Sequence, residues 1–224
     1  MTGLPISHPA VPALHASEPL HQAGAPLPSA KAAMVMVHGR GGSADDILGL
    51  AEMFGDAASG WAFVAPQAAN NTWYPERFMA PMARNEPWLS SALDTVGRAV
   101  AHVEQAGVAS ERIVLLGFSQ GACLMSEWAA RHARRFGGIA ALSGGLIGPD
   151  GTSREYAGSL EGTPALLGCS DRDPHIPEPR VRETATVLEG LGAQVDVRIY
   201  PGAPHGIFQD EIEAVIAMME AVTR

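Results

Sequence analysis

Gly117-Phe118-Ser119-Gln120-Gly121 sets a serine between two glycines, directly behind the apolar run Arg112-Ile113-Val114-Leu115-Leu116. A serine hydroxyl is a weak nucleophile at neutral pH unless a base lies within hydrogen-bond reach and a third group fixes the tautomer of that base. Only His132, His175 and His205 follow Ser119 in the chain. His132 lies far along the helical pattern leaving Ser119, which at about 1.5 Å per residue puts it out of reach and at the surface. His205 sits in Pro-Gly-Ala-Pro-His-Gly-Ile-Phe (201–208), between the last apolar run and the last helical pattern, in a loop shaped by proline and glycine. It is the expected base. The acid is expected from Cys-Ser-Asp-Arg-Asp-Pro-His-Ile-Pro (169–177), which offers Asp171 and Asp173. Asp173 is favoured because Pro174 keeps it extended and fixes the turn. Asp171 is the alternative, its other role being to cap the turn or pair with Arg172. His175 shares a tight turn with the acid and is expected to line the site.

Acyl transfer also needs donors for a developing oxyanion. His38-Gly39-Arg40-Gly41-Gly42 follows the first core strand, where one backbone N–H is expected, and the residue after the nucleophile supplies the other. The expected donors are the Arg40 and Gln120 N–H groups, with Gly41 N–H as fallback. Ser43 is expected to cap this turn, and His38 to bond nearby backbone.

These residues need a scaffold that brings them to one edge. The runs at 34–38, 62–66, 113–117, 139–143, 164–168 and 195–200 are mostly apolar on both alternating faces, as strands covered on both sides must be. Between them, helical stripes recur: Ile47, Leu50, Ala51, Phe54; Leu93, Val96, Val100, Val103; Val181, Ala185, Leu188, Leu191; and Ile212, Val215, Ile216, Met219. This alternation predicts an α/β fold, a mostly parallel, doubly wound sheet with helices on both faces. Ligands of such sheets bind beyond the carboxyl ends of the strands. Two excursions emerge there, 67–90 and the glycine-rich 143–162. The first carries Trp73, Tyr74, Phe78, Met79, Met82 and Trp88, expected to form an apolar substrate wall or a contact between two copies of the chain.

The 224 residues fit one α/β unit, read as 18–224 behind a loose leader at 1–17 with an edge strand or two near Glu18–Ala23. A net charge of −9 argues against a nucleic-acid partner. The one basic cluster, Arg131–Arg135, reads as a solvated helix end. Neither a signal peptide nor an apolar stretch of membrane-spanning length is present, so no stable membrane insertion and a cytoplasmic location are expected. Cys123 and Cys169 are too few for a disulfide framework and lack zinc-ligand spacing; two buried reduced thiols are expected, and no metal site.

Taken in order and spacing, His38–Gly42, Trp73-Tyr74, Gly117–Gly121, Asp173–Pro177 and Pro204-His205-Gly206 resemble the phospholipase/carboxylesterase family of α/β-hydrolases, which includes the acyl-protein thioesterases. The resemblance runs over roughly residues 20 to 222. It implies a serine carboxylesterase with Ser119, Asp173 and His205 as triad, no cofactor, and a small-molecule ester as substrate. The first loop reads Gly-Arg-Gly-Gly where thioesterases carry Gly-x-Gly-Asp, and Cys169-Ser170 stands where His-Gly usually precedes the acid. The pattern is closer to the bacterial carboxylesterase branch. The competing readings are a lysophospholipase, an acyl-protein thioesterase, a dienelactone-hydrolase-like lactonase, which would use cysteine at position 119, and a hydrolase-fold binding protein with a dead triad.

Overall fold

A computed structural model describes residues 13–224; residues 1–12 lie outside the described part. Seven strands form one sheet: β1 (Leu20–Gly24), β2 (Ala32–Val37), β3 (Trp61–Pro66), β4 (Ile113–Phe118), β5 (Gly138–Leu142), β6 (Pro164–Ser170) and β7 (Gln194–Tyr200), in the spatial order β1-β3-β2-β4-β5-β6-β7. All neighbours pair in parallel except β1, which runs antiparallel to β3 at the edge. Each expected core run became one strand. The reason is local: apolar residues at successive positions face opposite sides of a pleat, and every residue of β2, β3 and β5 is buried.

The two faces are covered by different helices, α1 (Ala44–Leu48), α2 (Trp88–Gln105), α3 (Gln120–Arg131), α4 (Glu178–Gly190) and α5 (Gln209–Thr223). Ala33, Val35, Val37, Leu115, Ala141 and Leu167 pack with the buried stripes of α2, α3 and α4. The alternate residues Met34, Met36, Val114, Leu116, Ala140 and Leu142 pack with Ile47, Phe54, Ile212, Val215 and Met219. A chain that winds helices onto both faces leaves all the β-to-α turns at one edge, where strands β2, β4, β6 and β7 deliver their following loops.

Three features depart from the sequence reading, and a fourth, the helix-free excursion 143–162, accords with it. The first stripe (47–54) is not one helix: α1 stops at Leu48 and a 3-10 run continues to Ala58, broken at Gly55 with φ 52°. Helix α3 ends at Arg131, so Arg134 and Arg135 lie beyond it, bonded to the Glu104 carboxylate and the Glu161 carbonyl rather than to helix-end carbonyls. Excursion 143–162 holds no helix, and buried Arg180 satisfies its backbone instead, donating to the carbonyls of Leu146 (2.8 Å) and Gly148 (2.6 Å). The leader is tied down at its described end. His15 is buried, accepts the Ala69 N–H on Nδ1 (3.0 Å) and so donates from Nε2 to the Trp73 carbonyl (3.0 Å).

Candidate active site

Ser119 stands between β4 and α3 with φ 54° and ψ −119°, a conformation that L side chains rarely adopt. Its N–H donates to the Leu142 carbonyl (2.9 Å), and its hydroxyl makes no capping bond to α3, which leaves the oxygen free at the sheet edge. The flanking glycines are there for close approach. A Cβ on Gly117 would lie 2.4 Å from the Gly121 carbonyl oxygen, and one on Gly121 would lie 2.1 Å from that of Val37. Strand β2, strand β4 and helix α3 therefore meet at a point where no side chain fits, and that contact turns the chain sharply enough to raise Ser119.

The three residues proposed from sequence meet here. His205 Nε2 lies 2.9 Å from Ser119 Oγ, and His205 Nδ1 lies 2.6 Å from Asp173 Oδ2. Asp173 Oδ1 accepts the N–H groups of His175 (2.8 Å) and Ile176 (3.0 Å). Burial works against ionisation of Asp173, but the bond to His205 and the two backbone N–H groups outweigh it and hold its carboxyl below the ordinary value. An ionised Asp173 only accepts, so the imidazole carries its proton on Nδ1 and presents a lone pair on Nε2 to the Ser119 hydroxyl. Asp171 is not in this chain of bonds; its Oδ1 accepts the Gly202 N–H (2.7 Å), a turn-capping role rather than a pairing with Arg172. His175 meets the His205 ring edge-on at 5.1 Å, and Phe118 lies 5.2 Å from it on another side. His132 is exposed, stacked on Trp128, and His38 bonds the Gly39 carbonyl (2.8 Å) and the Ala68 N–H (3.2 Å) as a structural histidine.

Of the backbone donors, Gly41 is excluded because its N–H is already given to the Asn71 carbonyl at 2.7 Å. Among the described residues no protein acceptor takes the N–H of Arg40 or Gln120, and both residues line the cleft that contains Ser119. Ser43 caps α1, accepting from Asp46 N–H while the Asp46 carboxylate takes the Ser43 N–H, which fixes the loop carrying Arg40.

The cleft has a volume of about 420 Å³. Of the residues expected to form a substrate wall, Tyr74, Phe78 and His175 line this cleft, and Trp73, Met79, Met82 and Trp88 do not. Trp73 is fully buried with its indole N–H on the His38 carbonyl (2.8 Å), and Met79, Met82 and Trp88 pack half-buried against the main core. An apolar residue in a long loop gains as much by covering the core as by lining a cleft, and composition cannot distinguish the two. Phe118, Ile176 and Cys123 line the cleft instead.

The polar side chains that hold the wall were not foreseen. Gln120 accepts the Trp73 N–H on Oε1 (3.0 Å) and donates from Nε2 to the Tyr74 carbonyl (2.9 Å). Arg40 spans the carbonyls of Tyr74, Pro75 and Glu76 at 2.7–2.9 Å. Buried Asn85 takes the Glu76 N–H (2.8 Å) and donates to the Arg77 carbonyl (3.2 Å). Only the carbonyls that fold up against these groups explain them, and a linear sequence does not show which carbonyls those are. The cysteines are buried and unpaired, and burial pushes the Cys123 thiol up to about 12.

A model of the Phospholipase/Carboxylesterase family matches residues 24–223, nearly the whole chain. The chain belongs to this family. A phospholipase/carboxylesterase of Dyadobacter fermentans superposes with a TM-score of 0.87 at 45% identity, over 91% of this chain and 97% of that one. The carboxylesterase of Bacillus cereus has the same fold at 18% identity, with a TM-score of 0.70 over 92% of this chain and 95% of that one. Acyl-protein thioesterase 1 of Gibberella zeae is 32% identical over 119 residues, 50% of this chain and 49% of that protein, so the match spans about half of that relative's length. That of Yarrowia lipolytica is 25% identical over 197 residues, 74% of this chain and 87% of that protein. No described helix is long and apolar enough to cross a membrane.

Proposed function

We propose that this family member hydrolyses carboxylic esters through an acyl-enzyme formed on Ser119. The observation that carries the reading is the continuous hydrogen-bond chain from Asp173 through His205 to Ser119 at the mouth of a mostly apolar cleft. His205 Nε2 takes the Ser119 proton as Oγ attacks the carbonyl carbon, while Asp173 stabilises the imidazolium that forms. The tetrahedral oxyanion receives the N–H groups of Arg40 and Gln120, each such donor being worth about 3 kcal/mol in the transition state. His205 then protonates the leaving alkoxide. Water enters by the mirror-image sequence, with His205 again as base, and releases the acid.

Tyr74, Phe78, Phe118 and Ile176 supply the apolar walls that take the acyl or alcohol portion, in a cleft whose volume falls in the usual range for small-molecule ligands. Thioester hydrolysis is the second reading, favoured by the acyl-protein thioesterases among the relatives. The same attack serves both substrates, and only the leaving group differs.

The test is turnover of p-nitrophenyl esters by the purified protein and by Ser119→Ala, with fluorophosphonate labelling of the hydroxyl. Loss of turnover and of label in the variant is expected. Full activity without the Ser119 hydroxyl would refute the reading, and an unlabelled, inactive wild-type protein would favour a binding protein. An acyl-length series with matched oxygen and sulfur esters then ranks esterase, lysophospholipase and thioesterase activity.

A further inference from the structure

The residues flanking His205, Pro201–Ile207, form neither helix nor strand. Their placement depends on a few bonds from the ends of neighbouring strands, and two of these bonds come from serine hydroxyls. Ser170, the last residue of β6, donates from Oγ to the Ala203 carbonyl at 2.7 Å. Ser143, just past β5, donates from Oγ to the Gly206 carbonyl at 3.0 Å. The two carbonyls lie two residues before and one residue after His205. Both serines are fully buried.

Ser143 is the more telling of the two because its backbone is strained. It has φ 54°, a value that glycine adopts freely and serine does not. Gly144 and Gly145 follow it, and a Cβ on Gly144 would lie 2.3 Å from the Ala122 Cβ, so of these three residues only 143 carries a side chain. A serine kept where glycine would be relaxed, with its hydroxyl committed to the residue beside the base, is strain held in place for a purpose. Its N–H adds a bond to the Gly168 carbonyl (2.7 Å), which ties its own position to β6. The acid lies three residues beyond Ser170 on the loop after β6, so the same two strands carry both Asp173 and the tethers of the loop that presents His205.

We infer that Ser143 and Ser170 are positioning residues that clamp the His205 loop from both sides and dock its imidazole between Asp173 and Ser119 before substrate arrives. The inference rests on the reading of Ser119, Asp173 and His205 as the reacting group. Without the clamp the loop samples positions in which Nε2 is out of reach of Oγ, and a misplacement on the order of 1 Å costs up to about a hundredfold in rate. Substrate binding is untouched, because neither serine lines the cleft.

The informative variant is Ser143→Gly, which removes the hydroxyl and relieves the backbone at once. Its melting temperature is expected to stay level or rise while kcat falls by about tenfold or more with KM within about twofold. Ser170→Ala is expected to lower kcat in the same way, and Ser170→Thr, which keeps a hydroxyl, to restore most of it. A second readout does not depend on turnover. The far-downfield proton resonance of the His205 Nδ1–H···Asp173 bond, followed by NMR, is expected to be sharp in the wild type and in Ser170→Thr, and broadened in Ser143→Gly and Ser170→Ala.

Retention of kcat and of a sharp resonance in Ser143→Gly overturns the inference. So does a loss of kcat that merely parallels a fall in melting temperature and a rise in KM. Failure of the underlying reading looks different: there Ser119→Ala keeps its activity, whatever the serines at 143 and 170 do.

Discussion

Glu211 allows a prediction in which sign and size both follow from the structure. It lies in the first turn of α5, is fully buried, and accepts the Phe208 N–H on Oε2 at 2.7 Å, while Oε1 has no partner. Burial, helped by Asp210 and opposed by the Phe208 N–H and Arg198, raises its carboxyl from 4.5 to about 7. Arg198 cannot do more, since its guanidinium is already bound to Asp196 and Asp210. The folded protein therefore holds this proton where the unfolded chain has released it, so stability declines as pH rises through that interval. From about pH 4 to about pH 8 the loss is about 3 kcal/mol. Glu211→Gln keeps the shape and the acceptor for Phe208 but does not titrate, so the difference between the two proteins isolates this one group. Urea unfolding at a series of pH values, with equal slopes required of both proteins, measures it. The wild type is expected to lose about 3 kcal/mol relative to the variant across that range, or about 8 °C in melting temperature. A difference that stays flat with pH, or that grows in favour of the wild type as pH rises, refutes the argument that burial governs this carboxyl.

Asp173 carries the opposite sign: its lowered carboxyl adds stability at neutral pH that is lost on acidification through its folded value. Asp173→Asn is expected to lower kcat by about four orders of magnitude while the protein stays folded, by the tautomer argument. Asp171→Asn, which keeps an acceptor for the Gly202 N–H, is expected to stay within about tenfold; reversal of the two results in steady-state kinetics would exchange their roles. Gln120→Ala strands the buried Trp73 N–H and is expected to cost about 2 kcal/mol in urea unfolding and to raise KM as the cleft wall loosens. Cys123 and Cys169 are expected to resist a thiol reagent such as DTNB in the folded protein and to react fully in urea, because both are buried and the Cys123 thiol is pushed up to about 12.

Much of the scaffold was legible because it depends on short-range pattern. Strands buried on both faces must be apolar at every position, and β2, β4 and β5 announce themselves that way. The elbow was legible for a different reason: the collision that requires Gly117 is with Gly121, four residues on and close enough for sequence spacing to encode, whereas Gly121 is required by Val37 on the neighbouring strand. The first helix was misjudged because an apolar stripe at 47–54 suits one α-helical turn followed by a 3-10 run packed on α5 as well as a single α-helix, and that run is interrupted at Gly55 with φ 52°. The cleft wall was half misjudged because Trp73, Met79, Met82 and Trp88 pack on the same core as Tyr74 and Phe78, and only the latter two also reach the cleft.

The sequence by itself determined which groups were available for chemistry and in what order they would reach one edge of the sheet, since strand-helix alternation sends each β-to-α turn to the same side. Only the tertiary structure decided which carboxylate and which N–H groups are free to act. Asp171 is the alternative acid and Gly41 the fallback donor by spacing, and each is taken by a partner some thirty residues away, Gly202 and Asn71. It also decided how the loop carrying His205 is held, through hydroxyls of Ser143 and Ser170 that meet their carbonyls across 63 and 33 residues of chain. Hydrogen-bond commitments of this kind depend on separations of a few ångström between distant segments, a quantity that periodicity and composition do not carry.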